Sequence, residues 1–153
     1  MDPTQNSVIP YLTVENGKQA VRFYVEAFGA REVESHATPD GTKLIHASLS
    51  LNGGTIMLSD DFPEKTAGKS RTAKALGGTP VMISLISSDG DELWKRAVSA
   101  GATIVMPLAD QYWGDRFGML DDPFGLRWSI SVPVRRPTPA ELDAAAREHF
   151  GKA

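Results

Sequence analysis

Residues 112–128, YWGDRFGMLDDPFGLRW, contain two of the three tryptophans of the chain, together with two arginines and three aspartates. Within this stretch, Pro123 fixes φ and Gly125 tolerates a positive φ, so Asp122-Pro123-Phe124-Gly125 predicts a tight turn. The stretch therefore predicts a strand, a turn and a returning strand. Taken alone, it fits an ordinary hairpin whose aromatic side chains fill a core. A weaker version of the same layout occurs earlier in the chain, and this repeat indicates that the stretch belongs to a duplicated structural unit.

Two halves of the chain share one order of predicted elements. In the first half a helix over 18–28 follows a strand over 8–14, and further strands cover 31–36, 43–51 and 55–59. In the second half a helix ending at residue 100 follows a strand over 81–86, and further strands cover 103–107, 116–121 and 126–132. The glycines that end the helices lie 101 − 29 = 72 residues apart, and the turn glycines Gly54 and Gly125 lie 125 − 54 = 71 apart. Two such similar offsets predict a duplicated βαβββ unit.

The remaining segments divide the chain into four parts. Residues 1–62 form the first module, 63–78 a polar linker or lid, 79–133 the second module and 134–153 a C-terminal tail. Gly68-Lys69-Ser70 in the linker does not satisfy the phosphate-loop pattern, because Pro63 stands where that pattern requires glycine. Ser88 with Asp91 predicts a capping box for the second helix. Thr138 and Glu141 predict another, which begins a helix that runs to about Phe150.

Composition limits the classes of function. The 153 residues carry a net charge of −3 and a pI near 5.6, so no basic footprint predicts nucleic acid as a partner. The apolar runs are shorter than the roughly 18 residues that a membrane span requires, and residues 1–7 lack the pattern of a secretion signal. The chain has no cysteine, which excludes disulfides and thiolate metal ligands. These features predict a globular protein of the cytoplasm, with neither membrane nor nucleic acid as a partner.

The chain resembles the vicinal oxygen chelate superfamily, which contains glyoxalase I, extradiol dioxygenases and bleomycin-resistance proteins. The resemblance rests on the duplicated module and on the motifs at 113–116 and 122–125. Within the superfamily, the chain is most similar to the PhnB-like, glyoxalase/bleomycin-resistance group, whose habits are matched by residues 23–30, 40–41 and 46–47. The resemblance implies an α+β fold in which two βαβββ modules form a half-barrel cup, usually completed in a homodimer, with a ligand or metal inside. Leu126 departs from the pattern, since relatives often carry histidine after the turn.

The resemblance also locates the positions of a metal site. Metal-dependent members take His, Glu or Gln ligands from the first and last strands of each module, and the repeat carries these positions to or beside Ile9, Met57, Val81 and Ser129. The four strands concerned contain no His, Asp, Glu or Gln. We therefore expect neither metal nor other cofactor; a divalent ion held by other side chains is the alternative. The remaining carboxylate cluster is interpreted as turn-holding rather than ion-binding: Asp110, Asp115, Asp121 and Asp122.

Strand alternation predicts which side chains line the cup. Apolar residues such as Leu12, Leu49 and Trp128 should pack against the helices, which turns their neighbours inward. The predicted ligand-binding residues are Tyr11, His46, Ser48, Met57, Tyr112, Trp113, Arg116, Arg127 and Ser129. This mixture of hydroxyls, aromatic rings and arginines suits a small polar or aromatic ligand, including an anionic one.

His46 and Arg116 are the candidate catalytic residues. The alternative is that His46 is a hydrogen-bonded strand histidine, since the sequence assigns no acidic partner to it, and that Arg116 bridges Asp115 or Asp121. Three functions follow. The first is a metal-free homodimeric binding protein that sequesters a small molecule such as an antibiotic. The second is a metal-dependent lyase, isomerase or dioxygenase. The third is a metal-free enzyme in which His46 is the base and Arg116 stabilises negative charge.

Overall fold

The computed structural model of the protein describes residues 8–151. The chain divides after Gly78 into two compact units. Each unit contains one four-stranded sheet with a helix packed on one face. The face of each sheet opposite that helix is called its far face below. None of the helices within residues 8–151 is long and apolar enough to cross a membrane.

The first unit has the predicted order of elements. Its members are β1 (Tyr11–Val14), α1 (Gly17–Phe28), β2 (Arg31–Ala37), β3 (Leu44–Leu51) and β4 (Gly54–Asp60). The strands lie in the order β1-β4-β3-β2, and β1 runs parallel to β4 while the other pairs are antiparallel. Residues 61–78 contain one turn of 3-10 helix, Pro63–Lys65, and a short helix α2 (Ala73–Leu76).

Helix α1 forms as its sequence predicts. The side chain of Asn16 caps its first turn by accepting a hydrogen bond from the Gln19 amide at 3.1 Å, and Gly29 ends it at φ 70°. One stripe of the helix is buried against the sheet: Ala20, Phe23, Tyr24 and Ala27. Gly17 brings the helix close to the sheet, since a Cβ there would lie 2.7 Å from the carboxylate of Asp60.

The second unit repeats this arrangement. Its members are β5 (Met82–Ile86), α3 (Gly90–Ala100), β6 (Thr103–Asp110), β7 (Asp115–Asp121), β8 (Arg127–Pro133) and α4 (Pro139–Phe150). The strand order β5-β8-β7-β6, with β5 parallel to β8, matches that of the first unit. The prediction of a duplicated βαβββ unit is therefore confirmed.

The two predicted capping boxes have different outcomes. At α4, Thr138 accepts from the Glu141 amide and Glu141 accepts from the Thr138 amide, which confirms the prediction. The hydrogen bond from the Thr138 backbone lowers the pKa of Glu141. At α3 the prediction is wrong, because the N-cap residue is Asp89 and its side chain makes no capping bond. Instead the Asp89 amide donates to Ser87 Oγ at 3.1 Å, so the chain turns before Ser88 can act as a cap.

Asp122 organises the turn between β7 and β8. Its Oδ1 accepts hydrogen bonds from the amides of Phe124, at 2.8 Å, and Leu126, at 3.0 Å. Its Oδ2 accepts from Nε1 of the fully buried Trp128 at 2.9 Å. The turn-holding interpretation of Asp122 is thus confirmed, and one buried carboxylate joins the turn to the core.

Candidate functional site

The far face of the first sheet carries four of the predicted ligand-binding residues. Tyr11, Met57 and Ser48 lie side by side on β1, β4 and β3, and their register is set by the pairs Tyr11–Met57 and Ser48–Met57. Leu12 is buried on the opposite face, as strand alternation predicts, while Tyr11 stays 52% exposed. An aromatic ring with a phenolic hydroxyl is therefore presented to solvent on this face.

His46 joins Tyr11 to a carboxylate. The Tyr11 hydroxyl is 2.9 Å from Nδ1 of His46, and the two rings are tilted by 38°. The other ring nitrogen of His46, Nε2, lies 3.7 Å from Oε1 of Glu34. His36 stands beside it, with ring centroids 6.5 Å apart. The connected side chains of Tyr11, His46 and Glu34 are called the Tyr11–His46–Glu34 group; His36 is not counted in it.

The sequence interpretation missed Glu34 because the pairing of β2 with β3 is irregular. Glu32 pairs with Leu49, but Glu34 pairs with Ser48, so the register shifts at Val33. Strict alternation would place Glu34 opposite Ala47, on the helix-bearing face. The shift has the effect of a β-bulge and turns Glu34 to the far face beside His46.

The far face of the second sheet carries Arg127 and Ser129. The Arg127 guanidinium forms two hydrogen bonds with the Asp121 carboxylate, at 2.8 and 3.0 Å, and these bonds raise the pKa of Arg127. Ser129 Oγ donates to Ser84 Oγ at 2.8 Å. The positive charge on this face is therefore compensated by a carboxylate already present, and the hydroxyls are hydrogen-bonded to each other.

Arg116 does not lie on the far face with Arg127 and Ser129, although the sequence predicted it as a ligand-binding residue with them. It pairs across β7 and β8 with Val132, so it shares the helix-bearing face with Gly118. Its Nε donates to Asp91 of α3 at 3.0 Å, and its Nη1 is 3.6 Å from Asp110. The hydrogen bond with Asp91 raises the pKa of Arg116. Arg116 thus ties α3 to the sheet, on the face opposite Arg127 and Ser129, and its carboxylate partners are not the ones that the sequence suggested.

Tyr112 and Trp113 occupy the turn that leads into β7. The indole of Trp113 packs edge to face on Tyr112 and on Phe117, with centroid distances of 5.2 and 5.4 Å. Tyr112 in turn contacts His149 of α4, with centroids 4.9 Å apart. The guanidinium of Arg135 donates to the Tyr112 carbonyl at 2.8 Å. The C-terminal segment therefore holds this turn in place, and His149 packs against it.

A family profile described as Glyoxalase/Bleomycin resistance protein/Dioxygenase superfamily matches residues 5–130. The chain belongs to this superfamily. An uncharacterized protein of Mycobacterium bovis is 51% identical over 136 residues, which cover 89% of each chain. Protein YjdN of Escherichia coli is 33% identical over 100 residues, which cover 65% of this chain and 63% of YjdN.

Solved structures share the fold. TioX from Micromonospora sp. ML1 is 30% identical with a TM-score of 0.65, over 85% of this chain and 100% of TioX. A gene product of Arabidopsis thaliana is 28% identical with a TM-score of 0.64, over 84% of this chain and 98% of that one. Glyoxalase I of Zea mays, at 19% identity and a TM-score of 0.62, covers 86% of this chain and 46% of its own length, and supports the fold alone.

The side chains at the superfamily's metal positions do not fit a divalent cation. Of the four expected metal positions, Ile9 and Val81 precede β1 and β5, while Met57 and Ser129 lie on the far faces of β4 and β8. On these faces β1, β4, β5 and β8 present the following side chains: Tyr11, Thr13, Thr55, Met57, Ser59, Met82, Ser84, Ile86, Arg127, Ser129, Ser131 and Pro133. Hydroxyls, thioethers and a guanidinium are poor ligands for such an ion. Within residues 8–151, no three His, Asp or Glu side chains are grouped so that they could hold one.

Proposed function

We propose that the protein is a metal-free small-molecule binding protein of the PhnB-like group, and that its ligand contacts the far face of the first sheet. The Tyr11–His46–Glu34 group carries this proposal. Tyr11 is half exposed, yet its hydroxyl is oriented by His46 at 2.9 Å. An exposed aromatic side chain that is already oriented loses little conformational entropy when it binds a ligand. Membership of the PhnB-like group is supported by motifs 23–30, 40–41 and 46–47.

The proposed ligand is a small polar or aromatic molecule. Tyr11 supplies a ring face and a hydroxyl, and Met57 beside it supplies an adaptable thioether surface. The superfamily's description includes bleomycin resistance, so sequestration of an antibiotic is the form of binding that we propose to test first.

Binding is tested by calorimetric titration of the purified protein with bleomycin and with a panel of phenolic and heteroaromatic compounds. Tyr11→Phe removes one hydrogen bond and should weaken binding about fivefold, which corresponds to about 1 kcal/mol. Ser99→Ala removes an exposed hydroxyl from α3 and serves as the control. Equal affinities of the wild type and Tyr11→Phe for every compound that binds would refute the proposed site.

Absence of a metal and the homodimeric state belong to the same proposal and need separate measurements. Elemental analysis of protein purified without chelators should give less than stoichiometric divalent metal. A stoichiometric ion would favour the metal-dependent lyase, isomerase or dioxygenase instead. Size-exclusion chromatography with light scattering should give twice the mass of the 16.5 kDa chain.

A second candidate function is metal-free acid–base catalysis, favoured by the position of Glu34. A histidine flanked by a carboxylate on one ring nitrogen and a phenol on the other is oriented as a general base is. Substituting Glu34→Gln would then reduce turnover of a substrate and leave its affinity nearly unchanged. If the wild type shows no turnover and Glu34→Gln lowers the affinity for the ligand, the result supports the binding protein instead.

A further inference from the structure

Residues 63–78 form the most basic short segment of this acidic chain. They contain Lys65, Lys69, Arg71 and Lys74 and one acid, Glu64, which gives 4 − 1 = +3. Because the whole chain carries −3, the other residues together carry −3 − 3 = −6. The concentration of positive charge is therefore local.

The four basic side chains are not neutralised by neighbouring acids. The carboxylates of Glu34, Asp91, Asp110 and Asp121 instead pair with His46, Arg116 and Arg127. Arg71 approaches Asp61 only through its backbone amide, at 3.4 Å. A group of unpaired cations raises the local concentration of anions and favours an anionic ligand.

Two of these cations line a cavity. It has a volume of about 460 Å³ and is lined by Thr66, Ala67, Lys69, Ser70, Arg71 and Leu76. This volume lies within the roughly 300–1,000 Å³ of small-molecule sites. Its lining contains no carboxylate, and Leu76, which is 63% exposed, supplies an apolar surface beside the charges.

The backbone around the cavity is held by its own hydrogen bonds. The Gly68 amide donates to the Pro63 carbonyl at 2.8 Å, and the Thr66 hydroxyl donates to the Lys69 carbonyl at 2.7 Å. Thr72 caps the short helix that carries Leu76 by accepting from the Ala75 amide. These hydrogen bonds order the loop that carries Lys69, Arg71 and Leu76, which reduces the entropic cost of binding a ligand.

We propose that this cavity binds a small organic anion, a phosphate or sulfonate ester with an apolar body. The charged group lies between Lys69 and Arg71, where the guanidinium offers paired donors to an oxyanion. The apolar body lies on Leu76 and Ala67. This site is separate from the far face of the first sheet and does not depend on the function proposed above. It also does not use a phosphate loop, since Pro63 breaks that pattern.

The test uses phenyl phosphate as the probe, with the full chain at low ionic strength. Amide chemical shifts should move for residues 66–76 and give a dissociation constant. The double variant Lys69→Ala/Arg71→Ala should weaken binding about tenfold, because each exposed ion pair with the phosphate contributes about two- to fivefold. The matched control Arg22→Ala/Lys95→Ala removes the same charge from exposed helix positions and should change the constant less than about twofold.

A second variant separates the apolar contact from the charge. Leu76→Ser should weaken phenyl phosphate and leave inorganic phosphate unchanged, and wild-type protein should bind phenyl phosphate more tightly than inorganic phosphate. The proposal is overturned if the double variant and its control weaken binding equally, or if both phosphates bind equally well. It is also overturned if the shifts of the wild type fall outside residues 66–76, a result that does not require any variant to fold.

Discussion

Replacing Asp122 by asparagine changes one oxygen of the side chain into an amide nitrogen and leaves its shape almost unaltered. In the wild type, Oδ1 accepts from the amides of Phe124 and Leu126, and Oδ2 accepts from the indole of Trp128. All three partners are donors, so the new NH₂ group must face at least one of them. Asp122 is only 6% exposed and Trp128 is fully buried, so water cannot readily restore the lost bond.

The size of the effect follows from the number of donors left without an acceptor. One buried donor that loses its partner costs about 1–3 kcal/mol, more where the partner was charged, so we expect Asp122→Asn to cost about 2–3 kcal/mol. Asp122→Ala removes the acceptor for all three donors and should cost about 3–5 kcal/mol. With a urea slope of about 2 kcal/mol per M, Asp122→Asn should lower the midpoint by roughly 1–1.5 M.

The assay is urea unfolding followed by far-UV circular dichroism, because fluorescence would report on Trp128 itself. The indole is then removed separately with Trp128→Phe. In that background Asp122→Asn should cost at least about 1 kcal/mol less than in the wild type, since the donor that opposed the amide is gone. A midpoint for Asp122→Asn within about 0.2 M of the wild type, or an identical cost in both backgrounds, would show that this carboxylate does not join the turn to the core.

Three other predictions concern local features of the fold. Gly90→Ala should lower the free energy of unfolding by about 1–3 kcal/mol in urea titrations, because a Cβ there would overlap Cγ2 of Val132; an unchanged midpoint contradicts this close approach. Thr138→Ala removes the N-cap of the last helix and should cost about 1 kcal/mol, seen as faster hydrogen exchange of its first-turn amides; unchanged exchange contradicts the cap. The Thr38 hydroxyl and further hydrogen bonds lower the pKa of Asp40 from 3.8 to about 2. This folded-state pKa lies below the unfolded one, so the stabilisation is present above pH 3.8 and is lost as the pH falls towards 2. Acid titrations of Asp40→Asn should accordingly show a flatter loss of stability in that window, and a limb as steep as that of the wild type refutes it.

The fold could be predicted because its evidence is local and repeated. The turn at 122–125 needs only the conformational limits of proline and glycine, and the helix ends at Gly29 and Gly101 need only a residue that tolerates positive φ. The near-equal spacing of these signals between the two halves of the chain then predicted the duplication. The capping box predicted at Ser88 was wrong because a cap depends on where the first helical residue falls: α3 begins at Gly90, so Asp89 and not Ser88 is the N-cap residue.

The alternation of side chains along a strand explains why Arg127 and Ser129 were placed correctly on the second sheet and why Arg116 was not. The even-numbered residues of β8, such as Trp128 and Ile130, are buried against α3, so Arg127 and Ser129 face away from it as predicted. The same parity applies to β7, where Leu120 is fully buried and Arg116 lies four residues earlier on the same face. The sequence therefore contained the information needed to place Arg116 on the helix side, but the prediction of Arg116 as a ligand-binding residue ignored this alternation.

Glu34 is different, because no rule of alternation could have placed it beside His46. Val33 is left without a partner in β3, and that one unpaired residue reverses the side on which Glu34 and His36 project. The resulting contact of 3.7 Å between Glu34 and His46 is thus a consequence of backbone irregularity and not of residue type. Deleting Val33 would make the pairs Glu32–Leu49 and Glu34–Ser48 consecutive in a regular ladder, so Glu34 should stay on the far face beside His46. In calorimetric titrations the deletion should therefore retain the ligand affinity that Tyr11→Phe loses, and a loss as large as that of Tyr11→Phe would contradict this placement of Glu34.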